Sequence, residues 1–363
     1  MPYFGYDSDC MLGKHTVPVI VDAYLKSLGG LESLGGLEKV DWDLAYEAVT
    51  NALTVTHPQT EKEDWAVYGE KGYYPFDVVG GEGVSRTMEI AYDDWCAARF
   101  ARARGDAKTA DFFFRRAGNW TNVLDRSLGL VRGRDSSGAW RTPFDPFRFG
   151  GGKDWLPYDC TEGNAWQYTW HVMQDVPGLV AAHGGERELA RRVEKLFSLS
   201  HPKAPEEPSD CTGQIGEYVH GNEPSHHILY LLPQLHDGNF AAEKIREVCD
   251  RFYHGGTDGL CGNDDCGQMS AWYVFSAMGF YPFNPCGGEY VLGAPQVPAA
   301  QVKVGGEGEQ RKVFSVVARG LSKENKYVRS VTLNGRPIAD WKIRHADIMN
   351  GGELVFEMTG NGR

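Results

Sequence analysis

None of the eight cysteines of this 363-residue chain forms a Cys-x-x-Cys pair, which argues against a zinc site. There is no Gly-x-Ser-x-Gly elbow and no Gly-x-x-x-x-Gly-Lys-Ser/Thr loop. Gly150-Gly151-Gly152 follows no strand pattern, so nucleotide binding has little support. No apolar run reaches the roughly 20 residues of a membrane span. The opening Met-Pro-Tyr-Phe-Gly-Tyr-Asp has neither a basic start nor an apolar stretch, and no signal peptide is visible in it. Basic residues are outnumbered 37 to 49, and the net charge of −12 argues against a phosphate-backbone partner. What the chain does have is a 42% hydrophobic fraction, with 10 Trp, 17 Tyr and 17 Phe. Aromatics at that density build a core, and they also form platforms on which sugars stack.

The length predicts a large domain plus a smaller one. Helical patterns dominate to about residue 282. Met88, Ala91, Tyr92, Trp95 and Ala98 share one helix face, and further helices are expected near 15–28, 42–56, 107–119, 164–176, 184–199, 224–235, 239–254 and 268–279. Polar, aromatic loops between them suggest a helical barrel or toroid with its loops gathered at one end. Leu28-Gly29-Gly30-Leu31-Glu32-Ser33 is echoed by Leu34-Gly35-Gly36-Leu37-Glu38, which reads as a tolerated loop duplication. After Pro285 short β-type runs take over, around Val302–Val304, Val313–Val317, Tyr327–Leu333 and Leu354–Phe356, with Asn334-Gly335 as a hairpin turn. The expected division is therefore a helical domain over 1–288 and an antiparallel, sandwich-like β module over 289–363 with a packing role.

Three loops carry the chemistry, each feeding an aromatic helix. The first is Cys261-Gly262-Asn263-Asp264-Asp265-Cys266-Gly267, where paired acids either aim into a cleft or cap the helix that follows. A disulfide between Cys261 and Cys266 would staple this loop; two thiols are equally compatible with it. The second is Glu217 to His227. Asn222 and Glu223 offer hard oxygen donors suited to calcium, or Asn222 caps a helix starting at Pro224. The third is Asp154 to Tyr168. Glu162, set among Tyr158, Trp166 and Tyr168, is expected to have a raised pKa fit for a general acid, or to sit at a helix start capped by Thr161. Candidate sugar contacts are Trp155, Trp166, Tyr168, His226 and His227. Arg86 and Glu89, three apart, could pair on the surface, and a scaffold helix is the favoured reading of this stretch.

These loops, together with Leu12-Gly13-Lys14-His15 and Ser85-Arg86-Thr87 followed by Tyr92-Asp93-Asp94-Trp95, resemble glycoside hydrolase family 92, the calcium-dependent exo-α-mannosidases. They stand in the family's order along the chain. The resemblance implies an (α/α)6 toroid, here incomplete, followed by the β module. It implies inverting hydrolysis of terminal α-mannosides of mannans or N-glycans, with α-1,2 the default linkage. Glu162 falls on the family's general acid. Asp265 is favoured as general base, with Asp264 assisting, and Asn222 and Glu223 fall on the calcium loop. Inversion asks for carboxyls roughly 6.5–9.5 Å apart, so that a water fits between them. The partner is a mannose-containing oligosaccharide, and the expected location is periplasmic or extracellular. The chain matches only the C-terminal portion of the family pattern, without its N-terminal β-sandwich. A carbohydrate-binding or inactive fragment that needs that domain is the alternative.

Overall fold

The computed structural model describes residues 12–27, 40–56, 64–150, 158–200, 211–304 and 311–362. They group into two compact units. One holds the described residues of 12–25 and 40–183, the other those of 26–27, 184–200 and 211–362. The chain is mainly helical with a small β module. The change from helix to strand near residue 289 falls inside the second unit. The loop duplication at 28–38 lies outside the described residues.

The first unit is organised on the helix Gly83–Ala103. It is buried on almost every side, which marks a core helix rather than an amphipathic surface one. Small residues, including Ala91, Ala97, Ala98 and Ala101, leave room for close neighbours. One neighbour is the helix Ala107–Arg116, capped by Asp106, whose carboxylate accepts from the Thr109 N–H at 3.0 Å. Arg116 ends that helix, pairs with buried Asp94 at 2.9 Å and lies over the rings of Trp65 and Tyr68. Arg86 and Glu89 are not the surface pair expected. Both are buried, and Arg86 instead donates to Glu82, four residues back, at 2.9 Å. The helix expected over 164–176 is also corrected. It spans only Ala165–Tyr168, and a new helix, Val176–Ala182, starts where Asp175 caps and Pro177 enters the first turn.

In the second unit the helix Glu186–Leu196 buries Leu189, Ala190, Val193 and Leu196, a one-sided stripe at helical spacing. The helix expected over 224–235 is instead a series of 3-10 turns: Glu223–Ser225, Ile228–Tyr230 and Leu232–Leu235. Pro224 and Pro233 lack the N–H an α-ladder needs, and a helical Pro233 would press on the carbonyl of Leu229. The helices Gly238–Phe252 and Gln268–Met278 follow.

The β module has a five-stranded sheet, ordered Arg336–Pro337, Tyr327–Leu333, Gly352–Thr359, Lys312–Arg319 and Ala299–Val304. Asn334 and Gly335, at φ 50° and 76°, make the expected hairpin turn. One pairing departs from the antiparallel expectation. Gly352–Thr359 runs parallel to Lys312–Arg319, with Leu354 opposite Val316. The long connection from 320 to 351 makes that crossover possible. A second sheet, of Phe280–Tyr281, Glu289–Leu292 and Lys342–Arg344, shares one core with the first through Phe280, Leu292, Phe314, Leu354 and Phe356. Among the described residues no helix is long and apolar enough to cross a membrane.

Candidate active site

In the first unit, Glu162 stands on a loop pinned at both ends. The opening N–H groups of the central helix have no partner within it, and those of Val84 and Ser85 donate to the Asp159 carbonyl at 3.0 and 3.2 Å. The Asp159 carboxylate accepts from the Gly133 N–H at 2.9 Å and from Arg141 Nε at 2.6 Å. The Thr161 N–H donates to Ser85 Oγ at 3.1 Å. Downstream, Asn164 rather than Thr161 is the helix cap, in a capping box with Gln167. Glu162 therefore lies outside the helix, with left-handed backbone at φ 46°. Few residues other than glycine adopt that conformation, and those that do are held there by their surroundings.

The surroundings of Glu162 are aromatic and acidic. Burial raises the Tyr158 phenol, with the Glu82 charge next and Glu162 also contributing. Burial likewise lifts Tyr168 well above its ordinary range, and Glu89 and Glu162 add to the shift. Trp166 is buried and stacks on Phe147 at 6.3 Å. Behind them Glu89 meets His171 at 3.2 Å, and Glu82 receives Arg86. Trp155 lies outside the described residues.

The other two loops meet in the second unit. They touch at backbone level because Gly262 has no side chain: a Cβ there would come within 2.5 Å of the Gly221 carbonyl oxygen. The metal-type loop and the acidic loop are thus neighbours. Asn222 opens a 3-10 turn but makes no side-chain cap hydrogen bond, so it is not the expected helix cap. Asn222 is buried, and Glu223 is part-buried with its charge acting on the Tyr281 phenol, which burial pushes up to about 12. Asn222 and Glu223 could serve as an amide and a carboxylate ligand to a hard cation. Among the described residues no group of three or more His, Cys, Asp or Glu could hold a metal. Backbone carbonyls, water or substrate hydroxyls would have to complete a shell of six to eight oxygens.

The two adjacent acids divide their work. Asp264 Oδ1 accepts from the N–H and the hydroxyl of Ser270, both at 2.9 Å, and so holds the first turn of the helix Gln268–Met278. Asp265 begins a run of three left-handed residues, with φ 45° at Asp265, 58° at Cys266 and 97° at Gly267, and is exposed. A cleft of about 750 Å³ opens beside this loop, lined by Tyr253, His254, Asp258, Asn263, Asp264 and Tyr273 among others. Asp264→Ala is expected to lower stability by about 1 kcal/mol, the usual cost of a lost cap, measured by urea unfolding. Unchanged stability would remove Asp264 from the holding role. Cys261 and Cys266 are both free thiols, so no disulfide staples the loop.

Histidines sit behind this surface. His220 is fully buried, with Nδ1 2.8 Å from the Tyr218 hydroxyl and Nε2 2.7 Å from that of Tyr253. His226 donates from Nε2 to the His220 carbonyl at 2.9 Å, and its Nδ1 faces the Gln268 amide at 3.2 Å. For His226 to touch a sugar it would have to give up one of these bonds. His227 is buried beside Phe283, with ring centroids 5.8 Å apart. Burial pulls His226 down to about 4 from 6.5, so it folds neutral. Between those values only the unfolded chain takes up the proton. Stability from this group is full above pH 6.5 and is lost as pH falls to about 4, by about 3 kcal/mol at 1.36 kcal/mol per unit. The expected result is a pH slope of urea-unfolding stability over that window that flattens in His226→Gln.

A model of the glycosyl hydrolase family 92 catalytic domain matches residues 1–360. The chain belongs to that family. Its relatives include a family 92 α-mannosidase of Bacteroides thetaiotaomicron solved with mannoimidazole, at 37% identity and TM-score 0.88 over 97% of this chain and 44% of that one. A family 92 inverting mannosidase of the same organism gives 32% identity and TM-score 0.82 over 97% and 46%. An uncharacterised secreted glycosidase of Arthroderma benhamiae is 27% identical over 95% of this chain and 45% of its own length. The chain thus spans less than half the length of these relatives.

Within this family 92 chain the sequence reading missed two groups of residues. One is Glu82 and His171, together with the buried role of Glu89: Glu89 and His171 are far apart along the chain, and Glu82, although only four residues from Arg86, stands just before the helix where no pattern marks it. The other is Tyr253, Gln268 and Tyr281, which orient the histidines from helices and strands that read as ordinary core.

Proposed function

We propose that this chain carries the catalytic residues of a calcium-dependent, inverting exo-α-mannosidase. Glu162 is the general acid and protonates the departing glycosidic oxygen. Asp265 is the general base that draws a proton from the attacking water, and Asp264 assists by fixing the loop that presents it. Asn222 and Glu223 hold calcium, which when bound supplies positive charge to orient sugar hydroxyls. Trp166, Tyr168 and His227 shape the sugar's surroundings, with Trp155 the remaining candidate contact. The observation that carries this reading is the backbone of the two acids: Glu162 and Asp265 are both non-glycine residues in the left-handed region, on pinned loops. Their neighbours Asp159 and Asp264 are spent on holding those loops. Strain of this kind concentrates at functional sites.

The substrate is a terminal α-linked mannose of a mannan or N-glycan, with α-1,2 the first linkage to test. An extracellular or periplasmic location is supported by the secreted relative. The test is mannose release from α-1,2-mannobiose by the purified chain, with calcium and then with a chelator. Release that the chelator stops, with the β-anomer appearing first by NMR, is expected. Release indifferent to the chelator would remove calcium from the reading. A folded chain that binds mannobiose without cleaving it would favour the carbohydrate-binding alternative.

A further inference from the structure

Away from the acidic loops, the second unit has a smaller cleft of about 220 Å³ between the start of the helix Gly238–Phe252 and the five-stranded sheet. It is lined by Gly238, Asn239, Arg329, Trp341, Thr359 and Asn361 among others. Three observations single it out.

The first is Trp341. Its backbone is left-handed at φ 54°, a true outlier for so bulky a side chain. The surrounding structure holds it there: the Trp341 carbonyl accepts from the Leu292 N–H at 2.8 Å, and part of its ring packs on the core of the β module. The rest lines the cleft. The second is Gly238. A Cβ built there would stand 3.8 Å from the Trp341 ring, in ordinary contact, so the missing side chain is what leaves the ring uncovered on that side. The third is charge. Arg329 is exposed and makes no ion pair among the described residues. Among the described residues no carboxylate lines this cleft, whose lining also includes His236, although the chain as a whole carries −12. An aromatic face edged by amide, hydroxyl and guanidinium groups matches a polyol, whose ring C–H faces are apolar and whose rim is hydroxyl.

We propose that this cleft is a second, non-catalytic carbohydrate site that takes one hexose of a glycan chain. The choice of mannan as the glycan rests on the activity proposed above; the cleft itself does not. Its use would be to keep the chain on a polymer between cleavage events.

The test is retention on yeast mannan in affinity gel electrophoresis, comparing Gly238→Leu and Trp341→Ala, each in a Glu162→Gln background so that the polymer is not consumed. Leucine at 238 would cover the ring, and the position has no positive φ, so the fold is expected to hold. At least a threefold loss of retention in Gly238→Leu, with an unchanged thermal midpoint, is expected. Unchanged retention overturns the site. Trp341→Ala should lose retention equally; if it fails to fold, Gly238→Leu alone decides. Retention needs no turnover, so a chain that releases no mannose still reports on the cleft. A cleft that fails leaves the hydrolase reading standing.

Discussion

Glu162→Gln should lower kcat/KM on α-1,2-mannobiose by about 10²–10⁴-fold, the range that a positioned general acid contributes. Glutamine keeps the size and the accepting oxygen of glutamate but has no acidic proton. A mannose leaving group must be protonated as the bond breaks, whereas a dinitrophenolate departs as a stable anion. The same variant should therefore cleave 2,4-dinitrophenyl α-mannoside at a rate much nearer wild type. Glutamine is no worse than glutamate at φ 46°, so the loop should survive. Equal losses on both substrates would take the acid role from Glu162 and leave it a positioning residue.

The largest stability effect is expected at Trp272. The residue is fully buried, and its indole N–H donates to the His226 carbonyl at 3.1 Å. Its ring lies 4.4 Å from that of His220 and stacks at 5.9 Å on Tyr253. Trp272→Ala removes those contacts, opens a cavity and strands a buried carbonyl, so about 3–5 kcal/mol should be lost. The urea midpoint should fall without a change in m. Trp272→Phe restores part of the volume but not the donor, and should fall between the two. A midpoint equal to wild type in Trp272→Ala would show that this cluster does not anchor the second unit.

Why some of this was legible and some not follows from range. The stripe of Leu189, Val193 and Leu196 and the Asn334-Gly335 turn are local patterns, and local patterns survive folding. The 3-10 turns over 223–235 follow Pro224 and Pro233, but Pro224 reads equally well as the start of an α-helix. The parallel pairing of Gly352–Thr359 with Lys312–Arg319 depends on how the chain returns from residue 320 to 351, which no short window contains. At the candidate site, residue type marked Asp264 and Asp265 as a pair, yet only the folded loop, through the Ser270 bonds to Asp264 and the left-handed backbone of Asp265, separates them. Glu89 and His171 were invisible as partners because they stand 82 positions apart in the sequence.

That separation has a clock attached. Ribosomes add about 5–20 residues per second, so roughly 4–16 s pass between the emergence of Glu89 and that of His171. Over much of that interval the central helix has neither the Asp159 carbonyl for its first N–H groups nor the imidazole for its glutamate. Its apolar faces and its charges wait together at the tunnel exit. Newborn chains of this length therefore hold that helix for seconds before its partners exist, and a codon change that slows translation between 103 and 158 would lengthen the wait.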